Sequence, residues 1–182
     1  MSLKMFIAVV TIVAAVAVLA EENLLGNSSF VYGSDGKLMC WRTVGTITSD
    51  VKAQALRMVA DNLFIWRGQQ LSYNVSIQQD LKNIQPGNYL LTFNVKGQNC
   101  AKIDSWMRLQ GIDVIYRTNS VNLEASGEWI KFSHTLEASE ECSLMLVISL
   151  HKDLKLKDTE GFALLKDLKF VKIEKDAQRD TK

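Results

Sequence analysis

The sequence has almost no excess of charge of either sign. It contains 21 lysine and arginine residues against 20 aspartate and glutamate residues, which gives a formal net charge of +1 at pH 7. Proteins that bind nucleic acids, anionic membranes or polyacidic substrates usually carry a clear excess of positive charge. The balance therefore gives no reason to expect any of these partners.

Cysteine and histidine are scarce as well. The chain has three cysteines, Cys40, Cys100 and Cys142, and two histidines. Their spacing matches no zinc pattern, and the small number of ligands argues against a closed structural metal site. Three cysteines cannot all pair within one chain, so at most one internal disulfide forms and at least one thiol stays free. A buried free thiol is the simplest expectation for each, and the pairing stays open.

Catalytic motifs are also missing from the sequence. It has no G-x-S-x-G, no H-E-x-x-H and no phosphate-binding loop. A glycosidase needs two carboxylates held across a cleft, whereas Glu128 and Glu140-Glu141 fall at predicted strand ends or turns, where carboxylates are usually solvated. We therefore predict a protein that is not an enzyme, with a glycoside hydrolase as the weaker alternative.

Residues 1–20 have the three parts of a secretory signal peptide. Lys4 precedes an apolar run over residues 5–19, and the small side chains of Val18 and Ala20 fit the −3 and −1 positions of a cleavage site. The run is shorter than the roughly 20 apolar residues of a membrane span, so an uncleaved anchor is the weaker alternative. The protein is therefore predicted to be secreted, or extracytoplasmic.

The rest of the chain fits one domain over residues 21–174 and a polar tail over residues 175–182. We find no internal repeat and no linker of biased composition. The length of the domain lies within the usual range of about 100–200 residues.

Apolar and polar residues alternate along much of this domain. Tyr89, Leu91, Phe93 and Val95 share one face and polar residues share the other, which is the period of a half-buried strand. Other predicted features are strands at 75–81, 129–136, 143–150 and 161–173, a turn at 86–88 and a solvated loop at 152–158. Residues 51–60 fit either a short helix or a strand. Many short strands separated by turns predict an all-β sandwich.

Several short motifs occur in a distinctive order. They are NLLGNSSF at 23–30, IQPGNYLLTFNVK at 84–96, SGEWIKFS at 126–133 and FALLKDL at 162–168. In this order they resemble the carbohydrate-binding modules of families 4 and 9, and the resemblance covers nearly the whole mature chain. It implies a galactose-binding-like jelly roll, in which a sugar lies in a cleft on one of two facing antiparallel sheets.

The resemblance also implies a structural calcium ion, held partly by an acidic residue after the opening phenylalanine and by two closing aspartates. This chain departs from that pattern, because Val31 follows Phe30 and Lys166 replaces the first closing aspartate, which leaves Asp167. Calcium is bound by several oxygen ligands. The loss of two carboxylates argues against a bound calcium, and no other cofactor is expected.

Residues 104–110 are the first candidate for the sugar site. Trp106, Arg108 and Gln110 share one face of this predicted strand. The other face suits the core and consists of Ser105, Met107 and Leu109. An aromatic ring beside hydrogen-bonding groups suits a polyol, and the alternative is an ordinary tryptophan–arginine pair that covers the sheet.

Three further residues are candidates for the same cleft. Trp66 lies in a polar stretch between predicted strands, where the family often carries a stacking aromatic. Gln78 points away from the apolar side of its strand. Tyr116 lies on the next predicted strand, where either it or Arg117 can face the cleft.

The remaining landmarks are predicted to belong to the core: Trp41, Trp129 and His134. The sequence thus favours a secreted, non-catalytic protein that binds a polysaccharide or other glycan. Two alternatives stay open, an exported β-sandwich that contacts other proteins or a cell surface, and an accessory part of a glycoside hydrolase system. A separate secreted glycosidase or a surface protein would be a further partner.

Overall fold

The computed structural model describes residues 22–66, 68–100, 102–109, 115–123, 127–156 and 158–174. The predicted signal peptide and the predicted polar tail lie outside these ranges, so both remain predictions. Within the described ranges, no helix is long and apolar enough to cross a membrane.

Nearly all regular structure in the described residues is β-strand. A single turn of 3-10 helix at Leu154–Leu156 is the exception there. The strands are β1 (Arg42–Val44), β2 (Thr46–Asp50), β3 (Ala55–Val59), β4 (Asn62–Trp66), β5 (Gln69–Ile84), β6 (Gly87–Gln98), β7 (Lys102–Leu109), β8 (Ile115–Asn122), β9 (Ile130–Ala138), β10 (Cys142–Lys152) and β11 (Phe162–Ile173).

The strands form two antiparallel sheets. The 6-stranded sheet has the order β1-β5-β10-β7-β8, and β4 also pairs with β5. The 5-stranded sheet has the order β2-β3-β11-β6-β9. Buried apolar residues from both sheets form one core cluster. This arrangement confirms the predicted β-sandwich and is consistent with a jelly roll.

Alternation along β6 places its apolar residues in the core, as predicted. The buried residues of this strand include Tyr89, Leu91, Phe93 and Val95. The ring of Phe93 stacks on Phe132 of β9 with a centroid distance of 4.2 Å, and the ring of Tyr89 stacks on Phe170 of β11 at 5.4 Å. Truncating such a buried ring to alanine costs about 3–5 kcal/mol of stability, so these stacks anchor the inner surface of the 5-stranded sheet.

One polar contact joins the two sheets across the core. Nδ1 of the half-buried His134, on β9, lies 3.1 Å from Oγ of the fully buried Ser105, on β7. Burial lowers the pKa of His134, because the charged imidazolium is poorly solvated there. The predicted core histidine with a satisfied ring nitrogen is confirmed.

Two loop predictions are now decided. Residues 51–54 form a turn that leads into β3, so the strand alternative holds for residues 55–59. The solvated loop predicted at 152–158 is wrong at its first residue, because Lys152 ends β10 and is buried. Its Nζ donates to the carbonyl of Thr159 at 3.0 Å and lies 4.5 Å from the centre of the Tyr73 ring. These contacts satisfy the ammonium group without exposure to solvent.

The two tryptophans predicted to be core residues behave differently. Trp41 is buried, its Nε1 donates to the carbonyl of Asn27 at 3.2 Å, and the prediction is confirmed. For Trp129 the prediction is wrong, because this side chain is 37% exposed. Its neighbour Ile130 pairs with Val95 and takes the inward position, so alternation turns Trp129 outward.

All three cysteines are free thiols. Cys100 is buried, Cys142 is half-buried and Cys40 is exposed, so the expected buried thiol is confirmed for Cys100 only. Burial raises the pKa of Cys100 to about 12, which keeps it protonated at neutral pH.

Candidate binding face on the six-stranded sheet

Strand β7 presents two chemically different sides. Ile103, Ser105 and Met107 are fully buried and point into the core. Trp106 points to the opposite side and is half-buried, and Asp104 shares its parity. The predicted division of this strand is therefore confirmed for Ser105, Met107 and Trp106.

The strand register places Trp106 in a row that crosses four strands. Its Cα pairs with Val147 of β10, Val147 pairs with Gln78 of β5, and Gln78 pairs with Arg42 of β1. Paired positions in antiparallel strands carry side chains on the same face. The prediction that Gln78 faces the side of Trp106 is confirmed.

We call this outward side of the sheet the polar face. Read from the pairing of β1, β5, β7 and β10, its aromatic residue and its charged or amide-bearing residues are Arg42, Asn74, Gln78, Asp80, Lys102, Asp104, Trp106, Arg108 and His151.

A buried carboxylate with a histidine and a lysine as partners lies next to the tryptophan row. Asp104 is only 5% exposed. Its Oδ2 lies 3.1 Å from Nε2 of His151 and 3.4 Å from Nζ of Lys102. A carboxylate removed from water is stable only when it has such partners. Contacts from β7 and β10 therefore fix its position.

Two acceptor oxygens of the polar face have no hydrogen-bond partner among the described residues. They are Oδ1 of Asp104 and Oδ1 of Asn74, and both are buried. Asn74 is paired in register with His151, so the two oxygens lie on either side of β10. An unsatisfied buried acceptor costs about 1–3 kcal/mol. A ligand hydroxyl that reaches either oxygen, once the overlying side chains move aside, would donate the missing hydrogen bond.

The basic side chains of the polar face all have partners. Nη2 of Arg42 lies 3.0 Å from Oδ1 of Asp80, and Lys102 and His151 share Asp104. Arg108 is not free either. The polar face therefore offers polar groups and one aromatic ring, and its basic side chains are already engaged.

The other predicted site residues are less well placed. Trp66 ends β4 and pairs with Gln69 across a hairpin, so the prediction that it lies in a stretch between strands is wrong. Gly68, with φ of 79°, lies in the turn of this hairpin. The Cα of Tyr116 pairs with Met107. The side chains of Trp66 and Tyr116, and the whole of Gln110, lie outside the described part of the structure.

Sequence reasoning missed the residues that give this face its polar character. Asp104 has the parity of Trp106 and is detectable from alternation alone. His151 and Asn74 cannot be found in this way, because only the register of β5, β7 and β10 places them near Asp104.

The residues that the resemblance implies for calcium do not fit that ion. Val31 supplies no carboxylate, and Nζ of Lys166 lies 4.3 Å from the centre of the Trp129 ring. Oδ2 of Asp167 accepts a hydrogen bond of 2.7 Å from Nδ2 of Asn94. Among the described residues, no group of three or more histidine, cysteine, aspartate or glutamate side chains converges.

No protein-family model matches the sequence, and no curated protein matches it. Solved structures do match its fold. TmCBM61, a carbohydrate-binding module solved in complex with β-1,4-galactotriose, superposes with a TM-score of 0.60 at 16% identity over 84% of this chain and 99% of that one. The N-terminal cellulose-binding domain of β-1,4-glucanase C from Cellulomonas fimi superposes with a TM-score of 0.54 at 15% identity, over 85% and 99%.

The fold also occurs within a larger enzyme. An arabinose-bound α-L-arabinofuranosidase superposes with a TM-score of 0.56 at 11% identity, over 82% of this chain but only 26% of that one. Identities this low show a shared fold and nothing finer. The chain therefore has the β-sandwich fold found in carbohydrate-binding modules.

Proposed function

We propose that the chain is a secreted, non-catalytic carbohydrate-binding module that binds a polysaccharide on its polar face. One observation carries this proposal: a half-buried tryptophan, Trp106, shares one face of β7 with Asp104, two positions away, and the buried Oδ1 of Asp104 lacks a partner among the described residues. Sugars present apolar C–H patches and hydroxyl donors together, and this combination of groups complements both.

The chemistry of the face favours a neutral glycan. Asp104 and Asn74 offer acceptor oxygens, which suit hydroxyl donors. An anionic sugar would need a cation that is not already engaged, and those around Trp106 are paired. In this proposal Trp106 stacks on the sugar ring, Gln78 and Arg108 contact hydroxyl groups, and Asp104 accepts a hydrogen bond from one of them.

Two predicted residues complete the proposed site. Trp66 would supply a second stacking ring at the edge of the same sheet, since β4 pairs with β5. Gln110 would extend the contacts beyond β7, whereas Tyr116 is left out because its Cα pairs with Met107, a core position. Membership of families 4 and 9, export by the signal peptide, and cooperation with a separate glycosidase or surface protein are parts of the same proposal.

A binding role is favoured over catalysis by the state of the carboxylates on this face. A glycosidase acts through one carboxyl group that is protonated and a second that is free to attack or to activate water. Asp80 is engaged by Arg42, and Asp104 is engaged by His151 and Lys102. Neither is arranged as a free acid or base.

Titration of the full chain with soluble glucan, galactan and xylan oligosaccharides tests the proposal. Trp106→Ala is expected to weaken binding about 10- to 100-fold, as loss of a central aromatic contact does. Trp129→Ala is the matched control, because Trp129 is exposed on the other sheet, and it should leave affinity unchanged.

The double variant Trp66→Ala, Trp106→Ala is expected to abolish measurable binding. Retention of wild-type affinity by this double variant would show that the site is wrongly assigned. Failure of the wild type to bind any glycan of the panel would reject the function itself.

A further inference from the structure

The outward side of the 5-stranded sheet differs from the polar face. Four lysines occupy outward positions of its three neighbouring strands β6, β9 and β11: Lys96, Lys131, Lys166 and Lys169. We call this surface the lysine face.

The strand register fixes the spacing of these lysines. Lys166 and Lys131 both pair with Asn94, one from each side of β6. Because neighbouring strands are about 4.8 Å apart, the Cα atoms of these two lysines lie roughly 10 Å apart. Lys96 lies two positions along β6 from Asn94, and Lys169 pairs with Thr92, two positions in the other direction. The positive charges therefore form a patch, not a single point.

These lysines lack the ion pairs found on the polar face. In the described ranges, none of the four forms a salt bridge, and Nζ of Lys166 lies over the ring of Trp129. One carboxylate, Asp167, lies within the patch and is held by Asn94. A second, Glu137, lies further along β9. Three net positive charges therefore remain at the centre of the patch, which is four lysines less one aspartate.

We propose that the lysine face binds an anionic polysaccharide, one that carries carboxylate or sulfate groups. The patch spans three paired strands, so a linear polymer can lie across it and meet several ammonium groups at once. This inference does not depend on the function proposed for the polar face.

Other polyanions fit this surface less well. Insertion into a membrane requires protruding apolar side chains, and the most exposed ones, Val31, Met39, Val51 and Ile65, lie outside these three strands. Single-stranded nucleic acid is usually held by several stacking aromatics, whereas the rings of Trp129 and Phe162 are covered by Lys166 and Arg57. Charge complementarity therefore favours the polysaccharide.

Binding to immobilised polygalacturonate and heparin, with neutral dextran as the blank, tests this inference. If four lysines release counterions as they do on a single-stranded polyanion, the affinity should fall about 50-fold between about 50 and about 200 mM salt. At the lower salt concentration, the double variant Lys131→Glu, Lys169→Glu is expected to bind at least about tenfold more weakly than the wild type.

A matched control carries the same change in net charge elsewhere. Lys37 lies in the loop before β1 and Lys82 lies on β5 of the 6-stranded sheet, and both are exposed. The double variant Lys37→Glu, Lys82→Glu should bind within about twofold of the wild type, since distant charges are screened beyond about 10 Å. Melting curves should show both variants folded, because all four substituted side chains are exposed.

Three results would overturn the inference. They are no binding of the wild type to either polyanion at low salt, an equal loss of affinity in the control variant, or tighter binding to phosphatidylglycerol vesicles than to both polysaccharides. The variant Trp106→Ala should keep full affinity for the polyanions. Failure of the neutral-glycan proposal therefore leaves this test unaffected.

Discussion

The two outer faces of the sandwich use charge in opposite ways. On the polar face Arg42 contacts Asp80, and Lys102 and His151 contact the buried Asp104. On the lysine face Lys131 and Lys169 are exposed, Lys96 and Lys166 are half-buried, and none of the four has an acidic partner in the described part of the chain. Buried, matched charges fix the positions of side chains and suit a specific, short-range contact. Unmatched, exposed charges act over a longer range and suit a partner of opposite sign.

Replacing one aspartate on each face should give the largest difference between the two faces in the free energy of unfolding. Asp104→Asn removes the charge shared by Lys102 and His151, and we expect a loss of about 2 kcal/mol in the free energy of unfolding. Asp167→Asn is the matched change on the lysine face. Asp167 is exposed with φ of 56°, a conformation that asparagine tolerates, so a change of less than about 0.5 kcal/mol is expected.

Urea unfolding of both variants checks this prediction. An equal change in the two variants would mean that the contacts of Asp104 with Lys102 and His151 stabilise the fold no more than a surface carboxylate does.

A smaller effect than that of Asp104→Asn is expected from His134, the histidine between the two sheets. It should make the free energy of unfolding depend on pH. Burial lowers the pKa of His134 below its ordinary value of 6.5, so the unfolded chain binds more protons than the folded chain at mildly acidic pH. The contribution of His134 is therefore fully present above about pH 6.5 and is lost as the pH falls below that value.

Urea midpoints measured at neutral and mildly acidic pH should show this loss in the wild type and a weaker one in His134→Gln. The same pH dependence in both proteins would place the titrating group elsewhere.

The smallest effect is expected at the cation–π contact of the lysine face. Nζ of Lys166 lies 4.3 Å from the centre of the Trp129 ring. Lys166→Ala should lower the free energy of unfolding by about 0.5–1 kcal/mol, the usual value of such a contact at an exposed site. The emission of Trp129 should change with the substitution, whereas Lys131→Ala should leave it unchanged.

Local features of the sequence predicted the sandwich because alternation is a local property. The burial of Tyr89 and Phe93 on β6, and the two sides of β7 around Trp106, follow from a period of two along one strand. Trp129 was wrongly predicted to be a core residue, because its place in a family motif does not show which face of the sheet it occupies.

Features that depend on strand pairing could not be predicted in the same way. The contact between Asp104 and His151 exists because β7 pairs with β10, and no local pattern encodes that register. The near-zero net charge argued against an anionic partner, yet summation over the whole chain concealed the separation of paired and unpaired cations onto different sheets.

The central claim is that the polar face binds glycan, and mapping backbone amides during a titration tests it most directly. With a neutral β-linked oligosaccharide that binds the full chain, amide shift changes should concentrate on β5, β7 and β10, near Gln78, Asp104 and Trp106. Changes concentrated on β6, β9 and β11 instead would contradict the claim.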